Sequence, residues 1–188
     1  QQDLAAGVKL VQLREKHMTD RQLYRRALEF RELCQRHDAL LIVDDRVDIA
    51  LATGADGVHV GQEDLPLEAA RSLAPDLIIG CSTHSVDEAV AAQGAGALYV
   101  NIGPVFATQT KTGTSGPLGP DGVALIAGRL TIPWTVMGGI KAANMSQVLE
   151  KGAKRLAVVT AVTAADDVRA ACETLRGIIV AARGKSCD

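Results

Sequence analysis

The sequence predicts an α/β protein of the TIM (β/α)8 barrel type, and three observations predict it. Short runs of Val, Ile, Leu and Ala alternate with helix-like segments along the whole chain, the pattern of parallel strands joined by helical crossovers. Hydrophobic residues make up 47% of the 188 residues and aromatics only 3%, so the core is built from branched aliphatics and Ala, as in parallel strands buried on both faces. No linker, repeat or composition shift divides the chain, which reads as a single domain over residues 1–188.

The elements follow in order. QQDLAAG (1–7) is the tail of a helix leading into a first strand, VKLVQL (8–13). DRQLYRRALEFRELCQRH (20–37) has apolar residues three and four apart, giving a helix one buried face. ALLIVD (39–44), GVHV (57–60), LIIGCS (77–82), ALYVNI (97–102), IPWTVM (132–137) and RLAVVTA (155–161) have the length and branched content of buried strands. Helices over 45–54, 65–74, 85–96, 119–130, 141–153 and 164–184 separate or follow them, several opening on Ser or Asp and closing near Gly. TKTGTSGPLGP (110–120) is a long Gly-rich loop, and long loops in compact domains are usually functional or disordered.

Seven strand–helix units are visible where a closed barrel needs eight. The expectation is therefore a barrel whose first strand and most of whose first helix are absent from this sequence. An open doubly wound sheet is the alternative, weakened because no GxGxxG follows the first strand.

A formal net charge of −2 and a pI near 6.1 give no electrostatic case for nucleic acid or an anionic membrane surface. The four cysteines, Cys34, Cys81, Cys172 and Cys187, are widely spaced with no CxxC pair, which suits reduced thiols. No signal peptide or membrane-length apolar run is seen, so the expectation is a cytoplasmic protein with small-molecule partners, its oligomeric state left open between monomer and homo-oligomer.

In a parallel barrel, the C-terminal ends of the strands converge on one mouth, where the chemistry is found. Those positions here are Gln12, Arg14 and Lys16; Asp44 and Asp45; His59, Gln62 and Asp64; Ser82 and His84; Thr108, Thr110 and Lys111; Gly138 and Gly139; and Thr160. Two apolar runs end in carboxylate pairs, and Asp45 with Asp64 is the natural oxygen donor set for Mg²⁺, which takes one or two carboxylates plus phosphate oxygens and waters. Lys16 and Lys111 can neutralise phosphate charge. The GGI turn (138–140) and the VTA segment (159–161) occupy the seventh and eighth loops of such a barrel, a common phosphate site. Each feature also has an ordinary reading: Asp at a strand end caps helices, GGI is often a tight turn, and His59 and His84 suit structural hydrogen-bonded histidines. Asp48 reads as a helix-surface residue and Asp56 as a turn residue. The conjunction at one mouth carries the functional reading.

QLREK (12–16), DDRVDIALATGADGVHVGQEDLP (44–66), GCSTHS (80–85), GPVFATQTK (103–111), MGGI (137–140) and AVVTA (157–161) together closely resemble the thiamine phosphate synthase family, in order, from about residue 4 to about residue 180. The resemblance implies an Mg²⁺-dependent transferase that joins 4-amino-2-methyl-5-hydroxymethylpyrimidine pyrophosphate to a thiazole phosphate, releasing pyrophosphate. It implies a dissociative reaction, in which pyrophosphate leaves and the thiazole nitrogen captures a pyrimidine-methyl cation. By matching position, Gln12, Arg14, Lys16 and Asp44 would meet the pyrimidine pyrophosphate, and Asp45 and Asp64 the metal. Ser82 and Lys111 would contact the pyrophosphate and its departing oxygen, as the catalytic pair. Thr108, Gln109, Thr110, Gly139, Val159 and Thr160 would meet the thiazole phosphate. Three positions depart from the family pattern: Asp44 stands where Asn is usual, Met137 where Ile is frequent, and Asn101 where a small residue is common. Thiazole tautomerase relatives share the barrel but lack much of QLREK, the QED carboxylate and the Thr-x-Thr-Lys. A barrel that binds these ligands without turnover is the remaining alternative.

Overall fold

The structure is a computed structural model and describes residues 1–108 and 116–184. Its elements are α1 (Gln2–Ala5), β1 (Leu10–Leu13), α2 (Asp20–Arg36), β2 (Leu40–Asp44), α3 (Val47–Thr53), β3 (Gly57–Val60), α4 (Leu67–Leu73) and β4 (Ile78–Thr83). These are followed by α5 (Val86–Gly94), β5 (Tyr99–Ile102), α6 (Gly119–Ala127), β6 (Trp134–Val136), α7 (Met145–Leu149), α8 (Thr160–Thr163) and α9 (Val168–Gly184).

The strands form one parallel sheet in the order β1-β2-β3-β4-β5-β6, a half-barrel of TIM type. Sequential order with every neighbour parallel requires a crossover after each strand, and the helices supply them. Local chemistry sets their ends. Thr19 and Gln22 form a reciprocal capping box at the start of α2, Ser85 accepts from the Glu88 amide at α5, and Gly54 closes α3 in the left-handed conformation. Arg176 of α9 donates to the Ala6 carbonyl that ends α1.

Alternation along the strands sorts side chains to two faces. Leu41, Val43, Val58, Val60, Ile79, Cys81, Val100, Ile102 and Val136 are buried in the core that joins the sheet to its helices. The intervening positions belong to the other face. There, the register sets Asp44 beside His59, His59 beside Gly80, Gly80 beside Tyr99, Ser82 beside Asn101 and Asn101 beside Thr135. One face is aliphatic and the other is largely polar, which locates the chemistry.

Two expectations are corrected. The seventh segment, 155–161, is not a full strand: Val136 and Leu156 make one parallel bridge, and the chain turns at Val159 into α8. Its neighbour β6 is only three residues long, and no strand flanks it on the far side among the described residues, so branched composition alone does not sustain a ladder. The helix expected over 141–153 is confined to Met145–Leu149. The Asn144 side chain accepts from Lys141 N–H and donates to the Gly139 carbonyl, closing a turn where a helix would otherwise begin.

Among the described residues, no helix is long and apolar enough to cross a membrane, and Cys34, Cys81 and Cys172 are free and buried. Cys187 lies outside the described residues.

Gly80 is glycine because a Cβ there would run into the Tyr99 ring. Gly80→Ala is expected to cost about 1–3 kcal/mol through overpacking, read as a Tm several degrees lower. Gly177, inside α9 with nothing within 4 Å of an added Cβ, is the control: Gly177→Ala is expected to leave Tm unchanged or raise it.

Candidate active site

The polar residues gather where β1 to β4 end. β1 carries half-buried Gln12, level with Ile42 of β2, and the chain leaves the strand through Arg14 and Lys16. β2 ends at Asp44, whose carboxylate lies 3.3 Å from Arg14 Nε and 3.6 Å from Lys16 Nζ. Lys16 also pairs with Asp45. Asp45 has φ of +60°, a left-handed conformation that Asp tolerates better than most residues. Two short backbone bonds hold it: Asp45 N–H to the His59 carbonyl at 2.8 Å, and Arg46 N–H to the Asp44 carbonyl at 2.7 Å. Beyond β3 a tight turn places Asp64, which accepts from Gly61 N–H at 2.6 Å.

Asp45 and Asp64 stand close enough to shift one another in opposite directions. Burial and the bond to Asp45 push Asp64 above the usual carboxylate range. Burial also acts to raise Asp45, but the hydrogen bonds from Asp64 and Lys16 outweigh it and hold it low. Asp44 differs: burial, then the neighbouring Asp45 charge, lift it to about 6 against the opposing pull of Lys16 and Arg14. Lys16 is raised, since its contacts with the two aspartates exceed the effect of burial.

Ser82 at the end of β4 belongs to a second polar cluster. Buried His59 pairs through Nε2 with Ser82 Oγ at 2.8 Å and through Nδ1 with Tyr99 Oη at 2.9 Å. Burial first, then the Asp44 charge, push the Tyr99 hydroxyl up, so it stays a neutral phenol. Gln62 donates to the Ser82 carbonyl at 2.6 Å, and Thr135 donates to Asn101 Oδ1 at 2.8 Å. His84 is tied to the Gly103 carbonyl. Both histidines are thus hydrogen-bonded as the sequence suggested, although His59 also touches a candidate substrate residue.

The remaining positions stand at the same end of the sheet, further round. Thr108 is half-buried beyond β5. Gly138 and Gly139 have φ of +104° and +63°, and a Cβ at Gly139 would sit 2.6 Å from the Ala107 carbonyl, so this turn requires glycine. Val159 and Thr160 are exposed at the start of α8. Gln109, Thr110 and Lys111 lie outside the described residues.

The donor set fits a hard divalent cation. Asp45 and Asp64 offer oxygen ligands from neighbouring strand ends, and a cation between them would offset the repulsion of two close carboxylates. Among the described residues, no group of three or more His, Cys, Asp or Glu is placed to hold a metal. The pair would therefore supply part of a coordination shell and leave the rest to waters and ligand oxygens.

The thiamine monophosphate synthase family profile matches residues 1–162. The chain belongs to this family. The thiamine-phosphate synthase of Chloroflexus aurantiacus is 46% identical over 183 residues, covering 97% of this chain and 85% of the relative. That of Methanospirillum hungatei is 45% identical over 180 residues, covering 95% and 87%. Among solved structures, the thiamine phosphate pyrophosphorylase of Pyrococcus furiosus superimposes with a TM-score of 0.91 at 41% identity, covering 96% of this chain and 87% of that one. A 3-hexulose-6-phosphate synthase, TM-score 0.72 at 21% identity, shares the fold alone. The thiamine phosphate synthase family resemblance carried by the sequence motifs is therefore correct.

Tyr99 and Arg46 join the site region although the sequence did not mark them. Tyr99 had one available signal, being one of two tyrosines in an aromatic-poor chain and sharing strand parity with Asn101. Asp48 and Asp56, taken as a helix-surface and a turn residue, both hold arginines: Asp48 pairs with Arg46, and Asp56 with Arg31 and the Leu41 amide.

The charge on Asp44 has a thermodynamic consequence. Its folded pKa lies above its unfolded one, so the folded state binds more protons between about 4 and 6, and stability falls as pH rises through that window. In metal-free protein, Asp44→Asn removes a penalty of at most about 3 kcal/mol. A higher Tm than the parent is expected near neutral pH, with the gain shrinking toward zero below about pH 4. A gain independent of pH in thermal melts would refute this account of Asp44.

Proposed function

We propose that the chain couples 4-amino-2-methyl-5-hydroxymethylpyrimidine pyrophosphate to thiazole phosphate, yielding thiamine phosphate and pyrophosphate, with Mg²⁺ held by Asp45 and Asp64. The observation that carries this is a charge balance. Arg14 and Lys16 face Asp44, Asp45 and the Asp64 carboxyl. Two cations against three carboxyl groups leave the cluster with no positive excess, and such a cluster has little attraction for a polyanion. A divalent cation bound by Asp45 and Asp64 would add two positive charges and turn that balance positive, directly beside Lys16.

When bound, Mg²⁺ would supply charge stabilisation for the departing pyrophosphate. The rest falls to the chain. The bond from the pyrimidine methylene to oxygen breaks, its electron pair leaves with pyrophosphate, and the thiazole nitrogen lone pair closes the new C–N bond. No proton transfer and no covalent nucleophile are required. Arg14, Lys16 and Lys111 would meet the charge developing on the pyrophosphate. Ser82, its hydroxyl held by His59, would hydrogen-bond a leaving-group oxygen. Gln12 would orient the pyrimidine beside Asp44. Thr108, Gln109, Thr110, the Gly139 turn and the backbone at Val159 and Thr160 would fix the thiazole phosphate, bringing its nitrogen to the methylene.

The test is product formation from the two substrates with Mg²⁺, read as thiochrome fluorescence after oxidation. Product abolished by EDTA, and a loss of at least about 100-fold in kcat/KM for Asp64→Ala, are the expected results. Undiminished product in EDTA would remove the metal assignment. Absence of product from folded protein would favour a barrel that binds without turnover.

A further inference from the structure

We infer that Arg46 is a positioning residue that ties the strand end bearing the carboxylates to the loop bearing the cations. The inference rests on the function proposed above. Arg46 directly follows Asp45, and its guanidinium makes contacts in two directions. Nε and Nη2 clamp both Asp48 carboxylate oxygens at 2.9 and 2.6 Å, while Nη1 donates to Asp20 Oδ1 at 2.6 Å. Asp48 is in the first turn of α3 and Asp20 in the first turn of α2. Asp20 is therefore the anchor at which loop 14–19, with Arg14 and Lys16, enters its helix. Asp48 is the matching anchor for the turn at Asp45.

A planar three-pronged donor fixes direction as well as distance. The tie runs across the two segments whose side chains must oppose each other, Lys16 on one and Asp44 and Asp45 on the other. Asp45 needs such support because it holds a left-handed φ of +60°, which the surrounding structure must enforce.

The exposure of the clamp argues that its purpose is local. The side chains of Asp20 and Asp48 are 75% and 66% exposed, and ion pairs that open to water add little to global stability. An ordinary surface pair would thus move neither Tm nor ligand affinity. A positioning residue would move affinity while leaving Tm nearly unchanged.

Arg46→Gln, Asp20→Asn, the double variant and Arg46→Lys test this. Hydrogen exchange is first followed in the metal-free protein, by mass spectrometry. Asp20→Asn is expected to speed exchange at 44–48, a segment distant from it in sequence. Inorganic pyrophosphate binding in Mg²⁺ and the steady-state constants are then measured. Arg46→Gln is expected to weaken pyrophosphate and raise the KM of the pyrimidine pyrophosphate by about tenfold, the usual effect of removing a supporting partner. The KM of thiazole phosphate should hold, the double variant should be no worse than Arg46→Gln, and Arg46→Lys should recover part of the loss. Unchanged exchange at 44–48 would overturn the assignment, as would equal losses for both substrates with a fall in Tm. A parent protein that makes no thiamine phosphate would defeat the proposed function, while the exchange comparison would still decide the tie.

Discussion

Parallel register is the constraint on which the site depends. Once β1 to β4 run side by side in order, residues at equivalent heights must share one layer, whatever their separation in sequence. The height that holds Asp44 also holds His59, Gly80 and Tyr99. Gly80 gives up its side chain so that the Tyr99 ring fits over it, and Tyr99 in turn anchors His59, which meets Ser82. A slip of one residue in β2, β3 or β4 would turn that strand's polar residues to the aliphatic face and put Val43, Val58 or Ile79 at this height instead.

Burial then determines the charge states. Asp44 has little contact with water, and its side chain is only 9% exposed, so its ionised form depends on Arg14 and Lys16. Asp45 and Asp64 shift in opposite directions, Asp64 up and Asp45 down. The two solutions differ because their neighbours do. Asp44 has cations within reach on the adjacent strand end, whereas Asp64, on the next turn, has chiefly another carboxyl and the Gly61 amide.

Much of this was legible in the sequence, for definite reasons. Strands flanked by partners on both sides announce themselves as branched aliphatic runs, and the ends of such runs name Asp44, Asp45, Ser82 and their neighbours without any structure. The segment 155–161 reads the same way but lacks a second partner among the described residues, and a run of valines does not reveal what lies beside it. Asn144 shortens the helix after β6 through hydrogen bonds to Lys141 and Gly139, a choice between helix and turn that periodicity does not register. Arg46 and Tyr99 were harder to find for another reason: each also reaches a residue distant in sequence, Asp20 for Arg46 and His59 for Tyr99, and only the fold says which.

Asp44 sharpens the electrostatic argument. If Asn stood there, Arg14 and Lys16 would face one fewer carboxylate, and the cluster would be one unit more positive before any metal arrived. With Asp, the Asp44 charge cancels one of the two cations at neutral pH, and a positive excess would require a bound cation. Affinity for a polyanion in this chain should therefore be more strictly conditional on the divalent ion than in a chain with Asn at this position. The stability penalty on ionised Asp44 is the cost of that arrangement. It falls on the folded, metal-free protein, where the nearest relief is the pair of cations the substrate would otherwise use.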